Sequence, residues 1–233
     1  MADRPNGSPK AATRRAIRET PFWKAYNRSR YTILFYALLL TLLVMPLAST
    51  VGLPKSVIRI LVGACLLSAV MPNATRQTRV SVLGGVILLI IARILSEYEF
   101  VPLNAGIMLA IVGFTGLAAA AATVRIVVTA RTVDHETIYA ALSTYLLAGV
   151  FFGQIYWGIE RIRPGSLVGP DPTTEVSAVY YSFVTLATLG YGDFLPRTDI
   201  ARGVATLEVI GGQLYLAVLV ARLIGAFKTF RGD

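Results

Sequence analysis

Six apolar stretches, each close to the length of a membrane-spanning helix, follow one another along the chain. They cover residues 31–49, 56–72, 80–96, 104–129, 137–158 and 199–226. Because an α-helix needs about 20 apolar residues to cross a bilayer, the pattern predicts an all-α membrane protein with six transmembrane helices. The second and third stretches are the shortest, and each carries one arginine near an end, Arg59 or Arg93. If neither of these two stretches spans, the orientation of the others stays the same.

The composition agrees with a membrane protein and indicates how the chain is oriented. Hydrophobic residues make up 55% of the 233 positions and charged residues only 15%. This balance is typical of a membrane protein and not of a soluble one. The net charge is +9, and residues 4–30 hold eight Lys and Arg side chains against Glu19 alone. Such basic flanks stay on the cytoplasmic side, so both termini are predicted there. A nucleic-acid-binding arm is the less favoured alternative, since the arm continues directly into an apolar stretch.

The loop between the last two stretches contains a short apolar segment of its own, residues 176–187. Thr173 or Thr174 is predicted to cap a helix there, with Glu175 in its first turn. A glycine-rich segment, residues 188–193, then leads back to the last stretch. Non-helical backbone at membrane depth is tolerated only where it is buried in protein or lines a water-filled path. The sequence therefore predicts a re-entrant pore helix followed by a loop that lines a pore.

Residues 185–193 read Thr-Leu-Ala-Thr-Leu-Gly-Tyr-Gly-Asp, which resembles the selectivity filter of the potassium channel family. The family usually has Val where this chain has Leu189. The resemblance covers residues 137–228 and implies K⁺ as the permeant ion, with no other cofactor. It implies that oxygen atoms of the protein replace the ion's water shell. These are the backbone carbonyls of Thr188, Leu189, Gly190 and Tyr191 and the Thr188 hydroxyl. Since one loop supplies a quarter of such a ring, the resemblance implies a homotetramer in the lipid bilayer.

The residue types of the filter segment suit this task. Gly190 and Gly192 can adopt positive φ at no steric cost, so successive carbonyls can turn toward one axis. The carbonyl end of the short helix carries a partial negative charge that favours a cation inside the pore. Asp193 would lie at the outer mouth and raise the local cation concentration.

Five residues near the filter are candidates for its support. By resemblance, Tyr180 and Tyr181 form an aromatic cuff in which a hydroxyl reaches Asp193, although plain packing of the helix fits equally well. Glu208 is an intramembrane carboxyl, which is a functional candidate by default. We expect it behind the filter, hydrogen-bonded to Ser182 or Thr185, where it would hold the filter conformation and make it sensitive to pH. The alternative is a neutral acid that only packs.

The last stretch also contains candidate gating and cavity residues. By resemblance, Gly212 is the hinge at which the inner helix bends, although glycine also simply permits close helix approach. Gln213, Leu216 and Val220 follow at helical spacing and are predicted to line the cavity.

The first four stretches resemble a voltage-sensor domain in topology but not in charge. The fourth stretch offers only Arg125, with Arg131 already at the cytoplasmic surface, and no Asp or Glu occurs between residues 31 and 96. We therefore expect weak or no voltage dependence, and no cytoplasmic ligand domain. The predicted division is a basic arm (1–30), a four-helix domain (31–130), a pore domain (131–228) and a cytoplasmic tail (229–233).

Enzymatic function is not expected, because His135 and Cys65 are the only residues of their types and no ligand set or nucleophile–base pair can be assembled from them. The sequence predicts a potassium-selective channel subunit in a bacterial inner membrane. Two alternatives stay open, a less selective cation channel owing to Leu189 and a non-conducting regulatory subunit.

Overall fold

The computed structural model describes residues 29–51 and 135–230, together with residues 106, 107, 113, 116 and 117 between them. Four helices and two short strands lie in this part of the chain. They are α1 (Arg30–Val51), α2 (His135–Ile162), β1 (Leu167–Val168), α3 (Glu175–Leu186), β2 (Leu195–Pro196) and α4 (Asp199–Phe230).

Three predicted apolar stretches, the first, fifth and sixth, coincide with α1, α2 and α4, and the predicted short helix coincides with α3. The basic arm up to residue 28, the second and third stretches and most of the fourth lie outside the described residues, as do Arg125 and Arg131. The all-α class is confirmed for the described part. The division into domains stays a prediction.

Two of these helices are long and apolar enough to cross a membrane by length and composition, residues His135–Ile162 of α2 and Asp199–Arg222 of α4. The apolar part of α1, Tyr31–Leu47, is shorter. The described residues thus provide two candidate spans, and the count of six stays a prediction.

Helix α3 packs closely on α2 because two glycines of α2, one turn apart, face it. A Cβ atom on Gly149 would come within 2.6 Å of the Phe183 ring, and one on Gly153 within 2.7 Å of the Val179 Cα atom. Small residues at this spacing let helix backbones approach one another. The sequence of α2 therefore fixes the position at which the short helix lies.

Helices α1 and α2 run parallel. The Tyr31 backbone N–H donates to Glu136 at the start of α2, whereas Leu34 and Leu38, further along α1, cluster with Phe151 further along α2. Because later residues of one helix meet later residues of the other, both helices begin on the same side of the molecule.

Three glycines of the predicted fourth stretch lie against α2 in the opposite order. Gly106 faces Ile162 near the end of α2, and Gly116 faces Phe151 near its middle, with Gly113 placed between them. Since later residues here meet earlier residues of α2, the described residues of this stretch follow one another in the direction opposite to α2.

A two-stranded clasp ties the loop before α3 to the segment after the glycine string. Strands β1 and β2 pair antiparallel, with Leu167 opposite Pro196, and the Arg197 N–H donates to the Ser166 carbonyl at 2.8 Å. On the α2 side, the Glu160 carboxylate accepts from the backbone N–H groups of Gly165 and Leu167, at 2.8 and 2.9 Å. The segment before α3 and the segment after the glycine string are thereby held together.

Candidate functional site

The short helix α3 begins at a well-formed cap. Of the two predicted threonines, Thr174 is the N-cap: its side chain accepts from the Ser177 N–H, and the Ser177 hydroxyl accepts in return from the Thr174 N–H at 2.7 Å. The Thr173 hydroxyl donates instead to the Leu167 carbonyl. Glu175 lies in the first turn, as expected, and accepts a hydrogen bond from Gln154 of α2 at 3.0 Å. The helix start is therefore held both locally and by α2.

The glycine string is tied to the C-terminal turn of α3 by backbone hydrogen bonds. The Thr188 N–H donates to the Thr185 carbonyl at 2.9 Å, and the Leu189 N–H donates to the Val184 carbonyl at 2.9 Å. The Gly190 N–H also approaches the Val184 carbonyl, at 3.4 Å. Any shift of α3 would consequently move this segment with it.

Positive φ angles alternate along the string. They occur at Thr188 (+57°), Gly190 (+56°) and Gly192 (+79°), and not at Leu189 or Tyr191. Alternating left- and right-handed residues align successive peptide groups in the same direction. Glycine adopts this region freely, while at Thr188 it costs roughly 1–2 kcal/mol. This alternation is compatible with the predicted turning of successive carbonyls toward one axis, and ion coordination by these carbonyls stays a prediction.

The positive φ at Thr188 is a feature that the sequence does not predict. A β-branched residue disfavours this region, so only the two glycines signal it. The role of the Thr188 carbonyl and hydroxyl in binding an ion stays a prediction.

The two adjacent tyrosines of α3 point to different places. The Tyr180 hydroxyl donates to the Asp193 carboxylate at 2.8 Å, and this hydrogen bond raises the pKa of the Tyr180 hydroxyl above its ordinary value. Tyr181 is buried and packs edge-on against Tyr156 of α2, with ring centroids 4.8 Å apart. Only Tyr180 is therefore in contact with the outer end of the string.

Glu208 lies behind the string in a fully buried polar cluster. Its carboxyl oxygens are 2.5 Å from the Ser182 hydroxyl and 2.8 Å from the Tyr156 hydroxyl. The Ser182 hydroxyl is also 2.7 Å from the Gly149 carbonyl. Of the two partners predicted on α3, Ser182 makes the contact and Thr185 does not.

Tyr156 is a partner that the sequence does not reveal. A tyrosine in an apolar helix signals that its hydroxyl needs a hydrogen-bond partner. Nothing in the pattern of residues indicates that the partner is Glu208, 52 positions away.

Gly212 lies at the closest approach of α4 to α3. A Cβ atom there would be 2.7 Å from the Leu186 Cδ1 atom and 3.0 Å from the Leu186 carbonyl oxygen, whereas one on Gly211 would meet nothing within 4 Å. Helix α4 is continuous through both glycines. The geometry fits the close-approach alternative, and the hinge stays a prediction.

The predicted cavity residues are not brought into a closed site within this chain. Gln213 and Val220 are exposed and Leu216 is half-buried. Their role in lining a cavity stays a prediction.

Comparison with known proteins shows what this part of the chain is similar to. A family profile described as an ion channel matches residues 140–229. The matched residues comprise most of α2, all of β1, α3 and β2, and nearly all of α4. This part of the chain is thus similar to an ion channel domain. The matched relatives are described as potassium channels or potassium channel subunits.

Three relatives illustrate the similarity. The inward rectifier potassium channel Kirbac3.1 of Paramagnetospirillum magnetotacticum is 33% identical over 36% of this chain and 27% of its own length. A potassium channel protein of Rhodopseudomonas palustris is 42% identical over 24% of this chain and 13% of its own. The human voltage-gated potassium channel regulatory subunit KCNF1 is 26% identical over 38% of this chain and 17% of its own length.

The chain therefore spans between 13% and 27% of the length of these curated relatives. No solved structure matches the chain.

Proposed function

We propose that this chain is the pore subunit of a potassium-selective channel, which conducts K⁺ passively across a bacterial inner membrane. The observation that carries the proposal is the alternation of positive φ at residues 188, 190 and 192, directly after a capped helix and inside the ion channel match. In this proposal residues 188–192 form the selectivity filter and α3 is the pore helix.

The chemistry follows from the aligned carbonyls. A cation entering the filter exchanges water oxygens for backbone oxygens, and these are held in place because the filter N–H groups at 188 and 189 are bonded to the end of α3. The carbonyl end of α3 carries the negative end of the helix dipole and favours a cation on the inner side. At the outer mouth, Asp193 concentrates cations, and Tyr180 fixes its carboxylate.

A homotetramer around a fourfold axis completes the filter in this proposal. Leu189 and Tyr191 are 56% and 66% exposed in the isolated chain, an arrangement suited to side chains that pack on a second copy. Much of α4 is apolar and exposed as well, including Leu207, Ile210 and Leu214. These surfaces are available for neighbouring subunits and for lipid.

The packing directions support the six-helix topology. Because α1 and α2 are parallel, the proposal gives the chain between them an odd number of membrane crossings. Three crossings, the last antiparallel to α2 as Gly106 and Gly116 indicate, give six helices with both termini in the cytoplasm. One crossing would give four helices with the same orientation. Weak voltage dependence is proposed because the fourth stretch carries only Arg125.

One of the two alternatives has a specific observation in its favour. KCNF1 carries the name of a regulatory subunit, which keeps a non-conducting role for this chain as the second candidate. A less selective cation channel differs from the proposal only in the filter, where Leu189 replaces the usual Val.

Reconstitution into K⁺-loaded liposomes tests conduction. We expect K⁺ efflux from liposomes that contain the wild-type chain, and its loss in Gly190→Ala, because Ala disfavours the positive φ of that residue although a Cβ atom has room there. Gly203→Ala is the matched control, since a Cβ atom also meets nothing on Gly203 and φ is not positive. Absence of wild-type efflux would favour the regulatory-subunit alternative, and equal efflux in both variants would contradict the assignment of the filter.

A further inference from the structure

The polar cluster behind the filter joins all three helices of the pore region. Glu208 comes from α4, Ser182 from α3, and Tyr156 and the Gly149 carbonyl from α2. The exposed fractions are 0% for Glu208, 0% for Ser182 and 1% for Tyr156. These side chains are therefore shielded from bulk water, which would otherwise lower the cost of a charge there.

Nothing in the described residues compensates a negative charge on Glu208. Both of its oxygens face hydroxyl groups, and none of the basic side chains that the structure describes lies within ion-pair distance of it. The other titratable side chains that interact with it are tyrosines, Tyr145 and Tyr156 of α2 and Tyr181 of α3. An unpaired, buried carboxylate is among the most costly groups that a protein can hold.

The number of protons in the cluster favours the protonated form of the Glu208 carboxyl group over the ionised form. The Ser182 hydroxyl has one proton but lies within hydrogen-bond distance of two acceptors, the Gly149 carbonyl at 2.7 Å and the Glu208 carboxyl at 2.5 Å. If Glu208 is ionised, the Ser182 proton can lie in only one of these two contacts, and the other contact brings two oxygen atoms together with no proton between them. If Glu208 is protonated, it donates to Ser182, Ser182 donates to Gly149, and Tyr156 donates to the second carboxyl oxygen. Every group of the cluster is then satisfied.

We propose that Glu208 is present as a neutral carboxylic acid and is the positioning residue of the pore helix, acting through the ordered chain Tyr156 to Glu208 to Ser182 to Gly149. The proposal deepens the function proposed above and rests on it. Ser182 lies two and three residues before the carbonyls at 184 and 185, which hold the filter N–H groups. Loss of the chain therefore loosens α3 and, with it, the spacing of the filter carbonyls, so the effect falls on ion selectivity rather than on ion binding by Glu208 itself.

Infrared spectroscopy of the purified protein in liposomes tests the protonation state directly. We expect a protonated carboxylic C=O band at neutral pH in the wild type that is missing in Glu208→Gln. Persistence of this band in Glu208→Gln, or a loss of carboxylate absorption in its place, would overturn the neutral acid. This measurement does not depend on conduction, so it separates a failure of this inference from a failure of the proposed channel function.

Bi-ionic reversal potentials test the positioning role. Glu208→Gln can donate to Ser182 and accept from Tyr156 as the neutral acid does, so its K⁺ to Na⁺ permeability ratio should stay within about twofold of wild type. Glu208→Leu has a side chain of similar size but cannot form these hydrogen bonds, so its K⁺ to Na⁺ permeability ratio should fall about tenfold or more. A tenfold fall corresponds to the loss of about 1.4 kcal/mol. Thr206→Val is the control on an exposed face of the same helix and should match wild type.

Two results would overturn the positioning role. One is a Glu208→Gln variant as impaired as Glu208→Leu, which would mean that the charge is needed. The other is a Glu208→Leu variant that selects K⁺ normally. If Glu208→Leu does not fold, Ser182→Ala takes its place, because it removes the same link while leaving Glu208 bonded to Tyr156.

Discussion

The contact between Gly212 and the end of α3 gives a prediction whose size can be worked out from the structure. In Gly212→Ala the new methyl group would lie 2.7 Å from the Leu186 Cδ1 atom, which can rotate away, and 3.0 Å from the Leu186 carbonyl oxygen, which belongs to the helix backbone. Gly211→Ala is the matched control, since its methyl group would meet nothing within 4 Å. Both variants change the same residue type in the same helix.

Both substitutions gain about 1 kcal/mol of helix propensity. Only Gly212→Ala adds an overpacking cost, typically about 1–3 kcal/mol. We therefore expect Gly211→Ala to be more stable than wild type and Gly212→Ala to be less stable than Gly211→Ala by about 1–3 kcal/mol. Thermal unfolding in detergent, followed by circular dichroism, measures this difference as a shift of several degrees in Tm.

A Tm for Gly212→Ala equal to that of Gly211→Ala would refute the close-approach argument. The hinge alternative predicts a different result, in which Gly212→Ala has the same Tm as Gly211→Ala but lowers the fraction of time that the channel is open. Single-channel recording of both variants distinguishes the two explanations, because overpacking at Leu186 acts on the filter end of α3 and not on bending of α4.

Two further predictions concern the ends of α3. Thr174→Ala removes the N-cap bond to Ser177 and should lower the free energy of unfolding by about 1 kcal/mol, seen as a lower Tm; an unchanged Tm would contradict the cap. Tyr180→Phe removes the bond to Asp193 and should reduce the K⁺ to Na⁺ permeability ratio severalfold. Asp193→Asn should do the same, and the double variant should be no worse than either single variant; additive losses would show that the two residues act separately.

The helices and their caps can be predicted from the sequence because their signals are local. The apolar stretches at 137–158 and 199–226 match α2 and α4, and the pattern of Thr174 followed by Glu175 and an apolar run places the start of α3. Gly190 and Gly192 signal positive φ for the same reason, since glycine alone adopts it without cost.

The features that the sequence does not reveal depend on tertiary packing. The positive φ of Thr188 goes against the preference of its own side chain and is held by the hydrogen bond to Thr185. Glu208 is recognisable as a buried carboxyl, but Ser182 and Thr185 lie close together on α3 and only the packing decides between them. Tyr156 enters the cluster only because Gly149 and Gly153 let α3 approach α2.

The central claim, that residues 188–192 form a potassium-selective filter, is tested most directly by the reversal potential of the wild-type chain in a planar bilayer. With K⁺ on one side and Na⁺ on the other, the account predicts a reversal potential that follows the K⁺ gradient, moving by about 59 mV for each tenfold change in K⁺ concentration. A current that reverses near 0 mV under these conditions would contradict it and favour the less selective cation channel.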